Sequence, residues 1–225
     1  MAAKVSKKTL KEPDFLQVKY IQVTDYLTRH QSKIYVILAL HLLGLAVFFG
    51  WRFYRLNYNK SALNVYNQVE ALALKSTDPK DFKPLVEGYK NVTATYPNSQ
   101  ATLYSYYKLG NLYLEMNEVD LSLQAYEEFI RRASDTDLLK IFAYRGKGYC
   151  YELKKDFKNA LESFDNALKL PSGTIFEGQI YRDMGRVYEG MNDSKKSLEY
   201  YSKSLEKSKD PAVEMILKKK IAELG

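Results

Sequence analysis

The chain has 225 residues, 46% of them apolar and 27% charged, with 20 tyrosines but only 11 glycines and 6 prolines. That composition fits one domain plus an appendage, leans towards helices and excludes wholesale disorder. The net charge of +7 is lodged at one end: residues 1–33 hold seven Lys/Arg against three Asp/Glu, residues 34–60 hold three basic residues and no acid, and residues 61–225 hold 24 of each sign, so the large domain lacks the basic face that nucleic-acid binding needs.

Residues 1–32 form a basic segment, with Lys4, Lys7, Lys8, Lys11, Lys19 and Arg29. Within it, residues 14–30 place Phe15, Leu16, Val18, Tyr20, Ile21, Val23, Tyr26 and Leu27 in a loosely amphipathic pattern after a Pro13-Asp14 start. The pattern predicts a short helix at a membrane surface.

Residues 34–51 read IYVILALHLLGLAVFFGW, with no formally charged side chain when His41 is neutral. At about 1.5 Å per residue the run spans roughly 27 Å, close to a bilayer core. Lys33 and Arg52 close its ends, and Tyr35, Trp51, Phe53 and Tyr54 sit where interfacial aromatics belong. A cleaved signal peptide would have a short basic start and a small-x-small site. Here 33 residues precede the run and Gly50-Trp51-Arg52-Phe53 follows it. The expectation is an uncleaved transmembrane helix over residues 33–54. Basic residues are denser before it than after, so the positive-inside rule puts the N-terminus in the cytoplasm and the large domain across the membrane. His41, in mid-span, is read either as a neutral ring bonded to a backbone carbonyl or neighbouring helix, or as a contact to a membrane partner.

Residues 55–225 form the large domain. A hairpin of helices is expected from residues 61–76 and 82–95, closed by Tyr96-Pro97-Asn98-Ser99. Three ungapped segments then repeat: Tyr106-x-x-Leu109-Gly110-x-x-Tyr113 with Ser122, Tyr126 and Phe129; Tyr144-x-x-Lys147-Gly148-x-x-Tyr151 with Ala160, Phe164 and Ala167; Tyr181-x-x-Met184-Gly185-x-x-Tyr188 with Ser197, Tyr201 and Ser204. The spacing places each set on one helical face, and the small residues permit close helix approach. Turns are expected at Asn117-Glu118, Lys154–Asp156 and Asn192-Asp193, and loops at residues 134–137 and 171–174. Pro211 opens a last helix that would cover the apolar face of the third repeat, its Lys218-Lys219-Lys220 run reading as a solvated face.

This pattern resembles the tetratricopeptide (TPR) family, and three in-phase copies are specific where one would not be. The fold expected is therefore all-α: one transmembrane helix followed by a TPR-type solenoid of three to four hairpins and a capping helix. The order of parts is similar to that of bacterial membrane-anchored TPR proteins related to the ancillary SecYEG translocon subunit: Lys11–Leu16, the Gly-Trp-Arg edge of the span, a stalk, the Tyr-Pro-Asn-Ser turn, three repeats and a Lys-rich helix. That resemblance implies a bacterial inner-membrane protein with a periplasmic TPR domain, and translocon subunits, chaperones or secreted chains as partners.

Stacked TPRs present a groove lined by their first helices. The residues expected there are Tyr104, Tyr107, Asn111 and Leu114, then Phe142, Arg145 and Tyr149, then Arg182 and Arg186, a Tyr- and Arg-rich set suited to an extended peptide or a helix. Asn111 matches one position of the TPR subtype that clamps acidic chaperone tails, but Tyr107 and Tyr149 stand where that clamp wants Lys or Asn, so that activity is not expected. A different class of function is a structural one, tethering an envelope assembly such as division or wall machinery, with self-association. Catalysis is not expected: both histidines, His30 and His41, precede Trp51, and no nucleophile set, paired cleft carboxylates or phosphate loop is legible. Cys150 is the single cysteine, which rules out an internal disulfide and leaves no Cys/His metal set. No cofactor or metal is expected.

Overall fold

The computed structural model describes residues 15–75 and 82–225. The Pro13-Asp14 helix start and the basic residues before it lie outside them. Among the described residues there are ten α-helices, a single 3₁₀ turn and no strand. The chain divides into two compact units, with the boundary between Leu56 and Asn57.

The N-terminal unit holds α1 (Phe15–Arg29) and the first part of α2 (Gln31–Ala73). α1 buries no residue, and its Thr24 and Thr28 hydroxyls donate to the carbonyls of Tyr20 and Thr24. α2 continues as a helix through residue 54, where the apolar run gives way to the stalk. It is the one helix among the described residues long and apolar enough to cross a membrane by length and composition. His41 Nδ1 lies 3.2 Å from the Ile37 carbonyl oxygen, bonding within its own helix.

The C-terminal unit is a TPR-type solenoid. The last part of α2 packs with α3 (Phe82–Thr95) and α4 (Gln100–Glu115) through Ala62, Val69, Leu85, Val86, Tyr89 and Val92. Three hairpins follow: α4 with α5 (Val119–Arg132), α6 (Leu138–Leu153) with α7 (Phe157–Lys169), and α8 (Glu177–Gly190) with α9 (Ser194–Lys207). α10 (Pro211–Leu224) packs on α9 and buries Leu217. The expected loop at residues 171–174 becomes a 3₁₀ turn, Gly173–Phe176, leading straight into α8.

Local chemistry sets the helix starts. Ser99, Asp137, Asp156, Asp193 and Asp210 each accept a backbone N–H of the first turn of the helix that follows. The three tight turns are alike: Asn117, Lys155 and Asn192 take φ of 60°, 58° and 60°. Asparagine tolerates this left-handed region, whereas Lys155 occupies it against its own preference.

The glycines explain how the hairpins close. A methyl built on Gly110 would lie 2.6 Å from the Tyr126 ring, one on Gly148 2.5 Å from Phe164 and one on Gly185 2.7 Å from Tyr201. In each hairpin an aromatic ring of the second helix rests on bare backbone of the first. The small residue one turn earlier completes the contact: Ser122 donates to the Gly110 carbonyl at 2.7 Å and Ser197 to Gly185 at 2.9 Å, while Ala160 makes the middle hairpin dry. A fourth glycine, Gly146, has no counterpart in the other repeats. Its methyl would also strike Tyr126, so that ring is held between two glycines on successive first helices, α4 and α6.

Gly146→Ala therefore sets a helix-propensity gain of about 0.5–1 kcal/mol against an overpacking cost of about 1–3 kcal/mol. With Tyr126 confined on both sides the cost wins, and denaturant unfolding followed by circular dichroism is expected to show a net loss of about 1–2 kcal/mol. At Gly190 a methyl meets only the Phe157 ring, at 3.1 Å, so Gly190→Ala is expected to stay within about 0.5 kcal/mol of the parent. Equal effects at the two sites would refute the double contact.

Candidate functional site

The first helices of successive hairpins touch, α4 against α6 and α6 against α8, so they share one face of the solenoid. The nine residues expected there divide by what they already bind. Tyr107 packs its ring 5.5 Å from Phe129 and 6.3 Å from Tyr126. Asn111 accepts the Tyr126 hydroxyl at 2.6 Å, and Leu114 packs against the cluster of Leu123, Tyr126, Phe129 and Cys150. These three are engaged in closing the first hairpin, and burial pushes the Tyr126 phenol well above its ordinary range.

The other six present surface. Tyr104 is half-buried, accepts a bond from Gln100 at 3.1 Å, and with Asn59, Lys60 and Leu63 lines a shallow cleft of about 280 Å³. Phe142 meets Phe176 edge-to-face at 5.0 Å. Tyr149 is 40% exposed, and the Arg186 guanidinium lies over its ring at 5.5 Å.

Arg145 and Arg186 are tied into one network. Arg145 Nε donates to Asp183 Oδ2 at 2.8 Å and its Nη1 to Gln179 at 2.8 Å. Arg186 forks onto both Glu152 oxygens at 2.7 and 2.8 Å, and its Nη1 reaches Asp183 Oδ1 at 3.1 Å. Two guanidiniums thus meet two carboxylates across α6 and α8, and the buried Asp183 is satisfied on both oxygens. Burial works against the charge on Arg186, but Glu152 and Asp183 outweigh it and raise its affinity for the proton above the ordinary level. The planar fork keeps Arg186 pinned over Tyr149, so the ring is a rigid platform. Arg182 has neither ion pair nor hydrogen bond among the described residues, and faces a separate cleft beside α10.

Sequence reasoning missed Asp183, Glu152 and Gln179. The Asp183–Arg186 pair had a legible i,i+3 spacing, but Arg145 and Asp183 are 38 residues apart. It also missed Glu70, which accepts Tyr89 at 2.5 Å and Lys108 at 2.9 Å. Glu189 is the counterpart at the other end, accepting Tyr201 at 2.7 Å and Lys220 at 2.6 Å. The run 218–220 therefore departs from its expected role at one position: Lys220 ties α10 to α8, while Lys218 and Lys219 pair only within α10. Cys150 is fully buried and donates to Ser122, and burial pushes its thiol up, away from reactivity. Among the described residues no group of three His, Cys, Asp or Glu side chains is arranged to hold a metal.

Comparison with known proteins agrees with these boundaries. Residues 104–136 match one model of the tetratricopeptide repeat, and residues 143–173 and 178–210 match another. Those spans fall on the α4/α5, α6/α7 and α8/α9 hairpins, beginning inside the first helix of each. The photosystem I assembly protein Ycf3 of Prochlorococcus marinus is 31% identical over 67 residues, which is 30% of this chain and 39% of that protein. The chain thus spans well under half the length of the curated relatives it matches. Among solved structures, MamA superposes with a TM-score of 0.57 at 19% identity, covering 71% of this chain and 80% of that one. MamA from Desulfovibrio magneticus RS-1 gives 0.54 at 20% identity, covering 65% and 75%. At such identities the likeness is one of fold.

The two tying carboxylates make a pH prediction. Burial raises Glu70, but bonds from Tyr89, Lys108 and Tyr66 outweigh it and hold it below the ordinary 4.5. Burial likewise raises Glu189, and Lys220 and Tyr201 reverse the shift. A depressed folded pKa gives stability that is present above about 4.5 and lost as pH falls through the lower folded value. The urea midpoint is expected to fall between pH 5 and pH 3, roughly the window these shifts define, and less steeply in a Glu70→Gln/Glu189→Gln variant. An unchanged slope in that variant would remove the two glutamates from the account.

Proposed function

We propose that this chain, three of whose hairpins are tetratricopeptide repeats, is a non-catalytic, membrane-anchored adaptor that binds other proteins on the face shared by α4, α6 and α8. The observation behind it is Tyr149: an exposed aromatic ring fixed by Arg186, about one turn beyond the neutralised Arg145–Asp183 pair and two turns beyond the half-buried Phe142 on α6. A rigid amphipathic ring loses little entropy on binding, and the paired charges around it can exclude water without an uncompensated ion. The 18-residue apolar run in α2 supports anchoring by one helix, and the surplus of basic residues before it supports a cytoplasmic N-terminus and a periplasmic repeat domain. The order of parts, resembling the ancillary SecYEG subunit family, supports a place in the bacterial inner membrane near the translocon, with translocon subunits, periplasmic chaperones or secreted chains as partners. A second reading is a scaffold that holds an envelope assembly together. It is favoured by the relative matched over 67 residues, which is by name an assembly protein.

Two outcomes are expected. The full chain stays in the membrane fraction through an alkaline carbonate wash, and its appearance in the supernatant would end the anchored reading. Crosslinking and mass spectrometry in intact membranes recover translocon subunits or emerging chains, with recovery at least about tenfold lower for Tyr149→Ala, equivalent to the loss of one hot-spot side chain, and an unfolding midpoint like the parent's. Recovery of division or wall proteins instead would favour the scaffold, and unchanged recovery would remove Tyr149 from the binding face.

A further inference from the structure

Where α8 begins, α9 ends and α10 begins, the solenoid leaves a cleft of about 570 Å³. Its lining includes Arg182, Lys207 and Lys209, the hydroxyls of Ser204 and Ser208, and the apolar Val213, with Ile175 72% exposed at its edge. The cations differ in state. Lys207 pairs with Glu177 at 2.7 Å. Arg182 and Lys209 have no acidic or hydrogen-bonding partner among the described residues. The one acid in the lining, Asp210, spends Oδ1 on capping the Ala212 amide at 2.9 Å.

That contrast singles the cleft out. On the same helix, Arg186 is held by two carboxylates, and Arg145 opposite is held by Asp183 and Gln179. Arg182 lies one turn before Arg186, partly buried, with five donors and no anion. A half-desolvated guanidinium without a counter-charge is a standing deficit that an incoming carboxylate corrects through a bidentate fork, while Lys209 adds a point charge. Ile175 supplies an apolar contact beside it.

We propose that this cleft binds an acidic segment of a partner polypeptide, a carboxylate seated on Arg182 with support from Lys209 and an adjacent apolar side chain on Ile175. It deepens, and rests on, the protein-binding reading by giving the partner a chemical signature. Two free cations suit a short acidic stretch. The paired charges of Arg145, Glu152, Asp183 and Arg186 on the neighbouring face give no reason for the rest of the ligand to be charged.

The test uses the full chain in zwitterionic nanodiscs and fluorescence anisotropy with the labelled peptide Ac-Leu-Asp-Glu-Leu-Asp-Glu, against the same peptide with Asn and Gln replacing the acids. The acidic peptide is expected to bind at least about tenfold tighter than the amide peptide, to weaken as salt rises, and to lose about tenfold on Arg182→Gln, with Arg182→Lys between. Circular dichroism confirms that each variant is folded; Arg182 has no internal bond to lose. Equal affinity for the two peptides, or an unchanged affinity in Arg182→Gln, overturns the proposal. So does Arg182-dependent binding to phosphatidylglycerol vesicles that displaces the peptide, which would give the cleft to a lipid headgroup. Partner capture as strong in Tyr149→Ala as in the parent, with the acidic-peptide preference and its Arg182 dependence intact, removes Tyr149 from the binding face and supports the cleft. Loss of peptide discrimination with capture intact removes the cleft alone.

Discussion

The contact on which the rest of the repeat domain depends is an aromatic ring laid on a glycine. Gly110 under Tyr126, Gly148 under Phe164 and Gly185 under Tyr201 are the same contact made three times, each across a separation of 16 residues. A side chain at any of these glycines would force the two helices apart or turn the ring out. Because the contact repeats with the same offset, each hairpin closes in the same way and stacks on the last through the same surfaces. That regularity is what brings α4, α6 and α8 to one face. The binding face is in this sense a by-product of how the hairpins close.

The repeats then diverge in how much polarity they bury, and the divergence is systematic. The first hairpin is polar at its centre: Cys150 donates to Ser122, which donates to the Gly110 carbonyl, linking three helices in one chain of hydrogen bonds. The middle hairpin replaces Ser with Ala160 and Tyr with Phe164 and needs no such partners. The third restores both, with Ser197 on Gly185 and Tyr201 on Glu189, and adds Ser204 on Gly178. Among the described residues no buried side-chain polar atom lacks a partner. The polar hairpins sit at the ends, where Glu70 and Glu189 hold the flanking helices. An apolar contact tolerates sliding, whereas a carboxylate gripped by two donors fixes the register of the helix it joins.

What was legible in the sequence follows from distance along the chain. Helix periodicity, the glycine–aromatic offsets, the turns at Asn117 and Asn192 and the loop positions are local spacings, and residues 3 to 16 apart declare themselves. The register also names which residues of α4, α6 and α8 turn to a common face. Register does not tell which of them are already occupied. Asn111 and Tyr107 look like contact residues until Tyr126, 15 residues on, bonds the one and Phe129, 22 residues on, packs on the other; the glycine–aromatic offset places the Tyr126 ring but does not name the partner of its hydroxyl. Gly146 reads as a neutral interior glycine until the preceding hairpin places Tyr126 on it. The charge network of Arg145, Glu152, Asp183 and Arg186 was hidden for the same reason: each cross-helix pair is 34 or 38 residues apart, and no local rule selects one acid among the 24 beyond residue 60.

The neutrality of residues 61–225 has a consequence that its value alone conceals. It argues against a polyanion, which takes its affinity from many unpaired cations releasing many counterions. It says nothing of how the charges are paired. Arginines one turn apart on one helix end in opposite states, Arg186 saturated by Glu152 and Asp183 and Arg182 left without an ion pair among the described residues. The saturated ones hold the platform still, since a guanidinium forked onto a carboxylate has little freedom left to spend on a ligand. The unsaturated one has its whole fork available. A neutral domain can therefore keep structural charge and ligand-seeking charge within one turn of each other, and it is the pairing, not the sum, that separates the two.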